Sequence, residues 1–461
     1  MPVLTDRTSP GRLLAVLFLG VLMAALDIAL VGPALPAIGE HFGVSERTLA
    51  WVFNTFVLFN LVGVPLMAKL SDVFGRRAVY AADVALFAAG SLVVALAPTF
   101  AVLLAGRAVQ GLAASGIFPV ASAVVGDAFP PERRGRALGV LGAVFGLAFI
   151  IGPVIGGVLL LFGWPWLFVA NLPLAAVVFV ATLRTLPGPA PGAARRIDWG
   201  GLLTLGAMLL ALAYGINQID TGRFVESLRA PRLWLALGLV GGLFPLFLRL
   251  ERRAPEPLVR LGLFESRQVI LAGLLAAGAG MTEAAFIFFP ALAVAAFGVT
   301  KSAASFMLLP LVLAVALASP VAGRVLDRVG SKAVVLAGTT LLTLGMTTVG
   351  LAGDLRLFFY TGSVLIGLGL AGLLGSALAY ILLHESKASE RAVAQGIITL
   401  FISIGQMTGS AFIGAVAASG GGTAAGYQRA LLVIAAVACV LTLLATGLKS
   451  RAAERAALHE H

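Results

Sequence analysis

The sequence predicts an all-α membrane protein of fourteen spans, built as two six-helix units with two additional helices between them. Three observations predict it: a composition too apolar for a soluble domain, fourteen apolar runs of spanning length, and charged landmarks that recur at nearly one offset. Of 461 residues, 60% are hydrophobic and 11% charged, with mean hydropathy +1.03. Soluble domains carry roughly 45–50% apolar and about 25% charged residues, so an ordinary soluble enzyme is excluded. The single cysteine, Cys439, lies inside an apolar run, which leaves neither a disulfide framework nor a cysteine metal cluster. No cofactor is expected.

A membrane helix needs roughly 20 apolar residues. Runs of that order lie at 13–36, 49–68, 78–97, 101–125, 137–161, 165–187, 199–216, 232–249, 268–296, 303–322, 333–352, 356–383, 392–418 and 428–448, each bounded by Gly, Pro or charge. The first follows Arg7 and Arg12 but holds Asp27 and lacks a convincing cleavage site, so it reads as a retained span. With the N-terminus cytoplasmic, 24 of the 32 Lys and Arg residues fall on inner segments, 7 on outer ones, and Arg107 within a span. That bias places both termini inside. Eight short basic segments also exclude a nucleic-acid stripe as the source of the +11 net charge. Trp51, Trp164, Trp166, Trp199 and Trp234 lie at or beside span ends, where amphipathic rings favour the interface.

The inner connection Ala68-Lys-Leu-Ser-Asp72-Val-Phe-Gly75-Arg76-Arg77 is matched by Gly323-Arg-Val-Leu-Asp327-Arg-Val-Gly330-Ser-Lys332. Pro65 and Pro320 precede the two aspartates by the same interval, an offset of 255; Glu132-Arg133 and Glu390-Arg391 are offset by 258, and Asp27 and Glu283 by 256. Four landmarks in register indicate a recurring six-span unit around a central pathway, the plan of a secondary transporter. The organisation read from this is a cytoplasmic N-terminus (1–12), a first six-helix bundle (13–187), two extra helices with linkers (188–250), a cytoplasmic connection (251–267), a second bundle (268–448) and a cytoplasmic tail (449–461).

With these motifs the sequence resembles the major facilitator superfamily over nearly its whole length, and its fourteen-span drug:proton antiporters in particular. Asp72, Gly75, Arg76 and Arg77 look like the signature loop after the second span. Leu26-Asp27 followed by Ala34-Leu35-Pro36 is similar to the first-span signature, and Arg107-Ala-Val-Gln110-Gly111 to the fourth-span arginine motif. Gly142, Gly146, Gly152, Pro153, Gly156 and Gly157 match the fifth-span antiporter motif. Departures are Ala68 and Val73 for the usual Gly and Arg of the loop, and Ala29 and Gly32 for Thr and Asn in the first span. The resemblance implies two bundles related by a pseudo-twofold axis, a seal against proton leak at the fifth span, and helices 1 and 4 side by side along the cavity.

Charge inside lipid costs roughly 2.5–3.5 kcal/mol per residue, so it needs a partner or a wet cavity. Asp27 lies about 9 Å from the outer boundary of a 30 Å core at 1.5 Å per residue, and Arg107 at the same depth on span 4. The two are expected to pair. Burial favours the protonated carboxyl and a nearby Arg the ionised one, so changing hydration would let Asp27 bind a proton outside and release it inside. Glu283, at the matching place in the second unit and with no evident partner, is the second protonation site or the anchor for a cationic substrate. A purely structural ion pair with a snorkelling Glu283 is the alternative. Asn54, Phe56, Gln110, Phe286 and Phe289 are expected to line a largely apolar substrate cavity.

The paired loops read as a gating latch. Gly75 and Gly330 permit tight turns, Asp72 and Asp327 can accept from helix N-termini, and Arg76, Arg77 and Lys332 can bridge to acids such as Asp127. Asp83, just inside span 3, is a further candidate for that cluster. The five fifth-span glycines are, from spacing alone, a helix-packing face, and Pro153 bends it. Gly367-Leu-Gly369-Leu-Ala-Gly372 fits a dinucleotide fingerprint formally, but with no strand before it packing is the reading. No phosphate loop for ATP occurs and the four histidines show no metal spacing. The function expected is a non-enzymatic, proton-coupled exporter of amphipathic, cationic organic compounds, acting as a monomer in the plasma (inner) membrane with protons and the bilayer as partners. An exporter or flippase of a lipid-like envelope metabolite is the second reading, and a non-transporting scaffold or sensor the third.

Overall fold

The computed structural model describes residues 9–44, 46–49, 51–188, 198–219, 224–255, 257, 261–299, 301–386 and 391–454. Among these, thirteen helices are long and apolar enough to cross a membrane. The first eleven are α1 (Pro10–Phe42), α2 (Trp51–Phe74), α3 (Arg76–Ala95), α4 (Phe100–Ala128), α5 (Pro131–Leu160), α6 (Pro165–Thr185), α7 (Trp199–Asn217), α8 (Pro231–Arg253), α9 (Arg267–Phe297), α10 (Leu309–Val329) and α11 (Ser331–Ala352). A shorter apolar helix, α12 (Arg356–Gly372), continues through a π turn at Leu373–Ala377 into Leu378–Glu385. Then come α13 (Arg391–Ser419) and α14 (Ala424–Ala445).

Local chemistry sets the helix ends. Ser9, Thr99, Ser266 and Thr423 turn their hydroxyls onto first-turn amides of α1, α4, α9 and α14, satisfying donors that no preceding carbonyl can reach. Pro131 and Pro231 sit in the first turn of α5 and α8, where a missing N–H costs nothing. Pro290 interrupts α9, whose middle turn at Ala285–Phe288 is 3-10, directly after Glu283. Gly75 and Gly330 take φ +91° and +87° with ψ 150° and 171°, a region almost closed to side-chain-bearing residues. The two related loops therefore turn with one backbone geometry.

In the first unit α4 packs on α2 and α3, and α1 on α5; in the second, α9 packs on α13 and α11 on α12 and α14. The units meet where α5 crosses α10 and α2 crosses α13. At the first crossing a Cβ added to Gly139 would stand 2.5 Å from the Ser319 carbonyl oxygen, and one at Gly146 2.8 Å from Ala316 Cα. Only glycine lets these backbones approach so closely. Gly152 presses on Ala29 in the same way, and Gly142 and Gly156 are buried. Gly157 departs from the expected packing face, because nothing lies within 4 Å of its added Cβ: the glycine stripe outruns the neighbouring helix. Pro153 lies within α5, but its side chain is outside the described set. Gly369 and Gly338 pack backbone to backbone, which makes the Gly367–Gly372 stretch a helix contact. Helices α7 and α8 pair with each other, and α7 touches α2 and α13. The outer face of α8, with Trp234, Leu235, Leu239 and Phe244, is exposed as lipid-facing side chains are.

Candidate functional site

The interior of the first unit holds one connected polar cluster. Asp27 on α1 and Arg107 on α4 are 1% and 0% exposed, and Arg107 Nη1 donates to Asp27 Oδ2 at 2.6 Å. Arg107 also donates from Nη1 to Gln110 Oε1 (2.9 Å) and from Nε to the Val52 carbonyl (3.0 Å). The second carboxylate oxygen, Asp27 Oδ1, accepts from Gln110 Nε2 and from Asn171 Nδ2, both at 3.1 Å. Gln110 and Asn171 share the Ser91 hydroxyl as acceptor at 2.8 and 3.4 Å. The Arg107 guanidinium lies over the Phe56 ring, 4.5 Å from Cζ to ring centre, a cation–π contact strengthened by the burial of both side chains. Five helices thus contribute to a dry carboxylate whose charge is met by one cation and two amides. Arg107 Nη2 alone has no partner.

In the second unit Gln406 Nε2 on α13 donates to Glu283 Oε2 at 2.8 Å. No cation bonds Glu283 among the described residues, and its side chain is half-buried.

A second cluster ties the two units together at the Lys/Arg-rich end. Arg76 pairs with Asp72 and, at 3.1 Å, with Asp127. Arg391 at the start of α13 donates to Asp127 Oδ1 at 2.6 Å and to the Gly126 carbonyl at 2.8 Å. Asp72 Oδ2 accepts from the Val393 amide at 3.2 Å, and Asp327 accepts from the Gly135 and Arg136 amides at 2.8 and 2.9 Å. Val393 and Gly135 stand 258 residues apart, the same offset as the Glu-Arg landmarks. Each unit's loop aspartate therefore bonds the opening turns of a helix in the other unit. Beside them, Lys69 Nζ reaches the carbonyl of Pro257, in the connection before the second unit, at 2.9 Å.

A family model described as the Major Facilitator Superfamily matches residues 17–286 and 269–459. The chain belongs to that superfamily. It is 32% identical over 411 residues to the MFS-type transporter YfiU of Bacillus subtilis (strain 168), covering 87% of this chain and 79% of that one. To the multidrug resistance protein Stp of Mycobacterium tuberculosis (strain CDC 1551 / Oshkosh) it is 33% identical over 416 residues, or 87% and 74% of the two chains. In fold it is similar to the human organic anion transporter MFSD10, with TM-score 0.70 at 19% identity over 95% of this chain and 100% of that one. It is likewise similar to the proton:xylose symporter XylE, with TM-score 0.66 at 14% identity over 97% and 98%. The protein is a multi-pass membrane transporter with relatives named for multidrug resistance.

In this transporter the residues expected from sequence fall into three groups. Asp27 with Arg107, and Asp72 with Arg76 and Asp127, are brought together, and Asp327 accepts from a helix N-terminal region. The cavity residues are placed differently: Gln110 and Phe56 belong to the Asp27 cluster, and Phe289 is fully buried against Phe359. Only Asn54 and Phe286 of the five keep accessible surface, because an all-apolar helix carries no mark separating its core face from its cavity face. Lys332 donates to the Thr446 carbonyl within its own unit instead of bridging to the other, and Arg77 has no hydrogen-bond or ion-pair partner among the described residues. Asp83 does not join the latch, and Glu283 has a partner after all. Asn171 and Ser91 were not anticipated; a lone amide within the run 165–187 was the available signal. Arg391 and Val393 were also missed as latch members, and Glu390 lies outside the described residues.

Proposed function

We propose that this transporter is a proton-coupled antiporter that exports amphipathic, cationic organic compounds by alternating access. The observation carrying this reading is the dry Asp27–Arg107 pair with its Gln110, Asn171 and Ser91 partners. A proton arriving on Asp27 removes the charge that Arg107 answers, leaving the guanidinium its Gln110 and Val52 acceptors. A cationic substrate competes for the same carboxylate, so proton and substrate occupy it in turn. Mutual exclusion at one acid is the requirement of antiport. Each charge moved is worth about 2.3 kcal/mol per 100 mV, which adds the membrane potential to the pH difference as a driving force.

The reading extends to architecture. Fourteen spans, with α12 as the twelfth, form two bundles (13–187 and 268–448) related by a pseudo-twofold axis, with 188–250 supplying the two extra helices. Both termini are cytoplasmic, which makes the Lys/Arg-rich end the inner one and the state with its contacts made the outward-open one. Glu283 serves as the second acid, and Asn54 and Phe286 face the substrate; the transporter works as a monomer. Asp72, Arg76, Asp127, Arg391 and Asp327 hold the inner end shut and release on rocking.

The test is transport in proteoliposomes under an imposed pH gradient, with a panel of cationic, neutral and lipid-like compounds. Wild-type protein is expected to accumulate cationic compounds against their gradient and Asp27→Asn to lose that accumulation. An Asp27→Asn protein that drives substrate uphill at the normal rate overturns the coupling.

A further inference from the structure

Asp83 on α3 is fully buried, and neither of its carboxylate oxygens has a hydrogen-bond partner among the described residues. Its surroundings are built to hold it. Oδ2 lies against the backbone of Gly116 on α4, beside Met67 on α2, and a Cβ at position 116 would overlap that oxygen. The carboxyl group occupies the space that a side chain at position 116 would fill.

The charged and titratable groups on every helix packed around Asp83 are otherwise engaged or distant. On α3 itself, Arg76 is bound by Asp72 and Asp127, Arg77 stands in the first turn six residues from Asp83, about 9 Å along the helix, and the Tyr80 hydroxyl donates to the Leu17 carbonyl at 3.3 Å. On α2, Lys69 is bonded to Pro257 and Asp72 to Arg76. On α4, Arg107 is held by Asp27 and Asp127 by Arg76 and Arg391. On α6, Arg184 is exposed at the helix end. A carboxylate in this position would be a buried charge without cation or donor, which costs several kcal/mol, whereas the protonated acid is neutral.

Position on the helix gives the group a use. Asp83 stands seven residues after Arg76 and eight before Ser91, about 10.5 Å from the latch and about 12 Å from the Asp27 cluster along α3 at 1.5 Å per residue. Seven residues are two turns, so Asp83 shares the face of Arg76. We infer that Asp83 is a proton-binding site of the transport cycle, holding a proton while the contacts at the Lys/Arg-rich end are made and releasing it to water entering from that end when they part. In that step the O–H bond of the carboxyl breaks, its proton passes to a water molecule, and the carboxylate left behind is hydrated. The reverse must occur before the end can shut, because closing over a carboxylate would strand its charge. Asp83 is thereby an obligatory proton carrier for one half of the cycle, separate from the acid that binds substrate.

This inference rests on the antiport reading, but its test is independent of transport. Infrared difference spectroscopy on the purified full-length protein reads the C=O stretch of protonated carboxyls at neutral pH. Wild type is expected to show a band that Asp83→Asn lacks, and a second background, Asp127→Asn with Arg391→Gln, is expected to show it reduced at the same pH. If Asp83→Asn does not fold, Asp83→Glu shifts the band in its place. Identical carboxyl bands in wild type and Asp83→Asn overturn the inference, as does an Asp83 band that keeps its full intensity when the latch is weakened. Should the Asp27→Asn transport test fail while the Asp83 band behaves as stated, the antiport reading falls and the proton site stands.

Discussion

The Asp27–Arg107 pair permits a quantitative test by a double-mutant cycle on Asp27→Asn and Arg107→Gln. Removing one partner of a buried pair costs about 3–5 kcal/mol, because the survivor is left as an uncompensated charge. Arg107→Gln falls at the lower end, since Asp27 keeps the Gln110 and Asn171 amides at 3.1 Å. Asp27→Asn falls there too, since Arg107 keeps Gln110 Oε1 and the Val52 carbonyl. Were the two sites independent, their costs would add to about 6 kcal/mol. As a pair, the double variant strands no charge and is expected to lose only about 3 kcal/mol, giving a coupling energy of about 3 kcal/mol. The assay is reversible denaturant unfolding in mixed micelles, read by tryptophan fluorescence, on the four proteins of the cycle. Costs that add to within about 0.5 kcal/mol would show that the guanidinium and carboxylate do not depend on one another, and the reasoning above would be wrong.

Other expectations follow from the same contacts. Asn171→Leu removes a donor to Asp27 and strands part of its charge, with an expected loss of about 1–3 kcal/mol in the same unfolding assay. Gly139→Val forces side-chain volume into the α5–α10 crossing; a cost of about 1–3 kcal/mol falls on the state with the Lys/Arg-rich end closed, and spin-label distances across that end should lengthen. Arg391→Gln breaks a partly exposed pair worth about 1 kcal/mol or less, so the same distances should shift only several-fold in population. Glu454, in the chain after α14, accepts from the Ser331 amide and hydroxyl, and burial raises its carboxyl above the ordinary glutamate value. A raised folded-state value means that docking of this segment is strongest below the ordinary value and weakens as pH climbs through the raised one. Hydrogen exchange at the Ser331 amide should therefore be slower in acid than expected from intrinsic rates, a trend that Glu454→Gln should flatten.

What could be read from the chain divides along physical lines. Helix-forming runs, basic connections and the Asp-Gly repeat are local in sequence, and each has its counterpart in α1–α14. The Asp27–Arg107 pair was legible because depth along a helix is simple arithmetic once the span boundaries are known. Rotation about a helix is different. Phe56 and Phe289 were placed on the cavity by type, yet burial of Phe56 over Arg107 and of Phe289 against Phe359 depends on neighbours on other helices, 51 and 70 residues away in sequence. Asn171 and Ser91 carry no charge and so left little trace, although Asn171 donates to Asp27 and Ser91 accepts from the two amides that do so. Backbone partners were legible only in kind: Asp72 and Asp327 were expected to accept from helix N-termini, but which helix supplies the amide, like the Thr446 carbonyl on Lys332, has no residue-type signature.

The exchange of aspartates between the units, Asp72 onto α13 and Asp327 onto α5, bears on how such a protein is assembled. Either unit alone would present a loop aspartate short of its backbone donor and a helix opening that lacks its external acceptor, and each deficit is complementary to the other unit's surplus. The first unit, synthesised earlier, leaves the ribosome already carrying the address of the second. Two separately expressed pieces, divided within 251–267, would still hold the information needed to find each other in the bilayer.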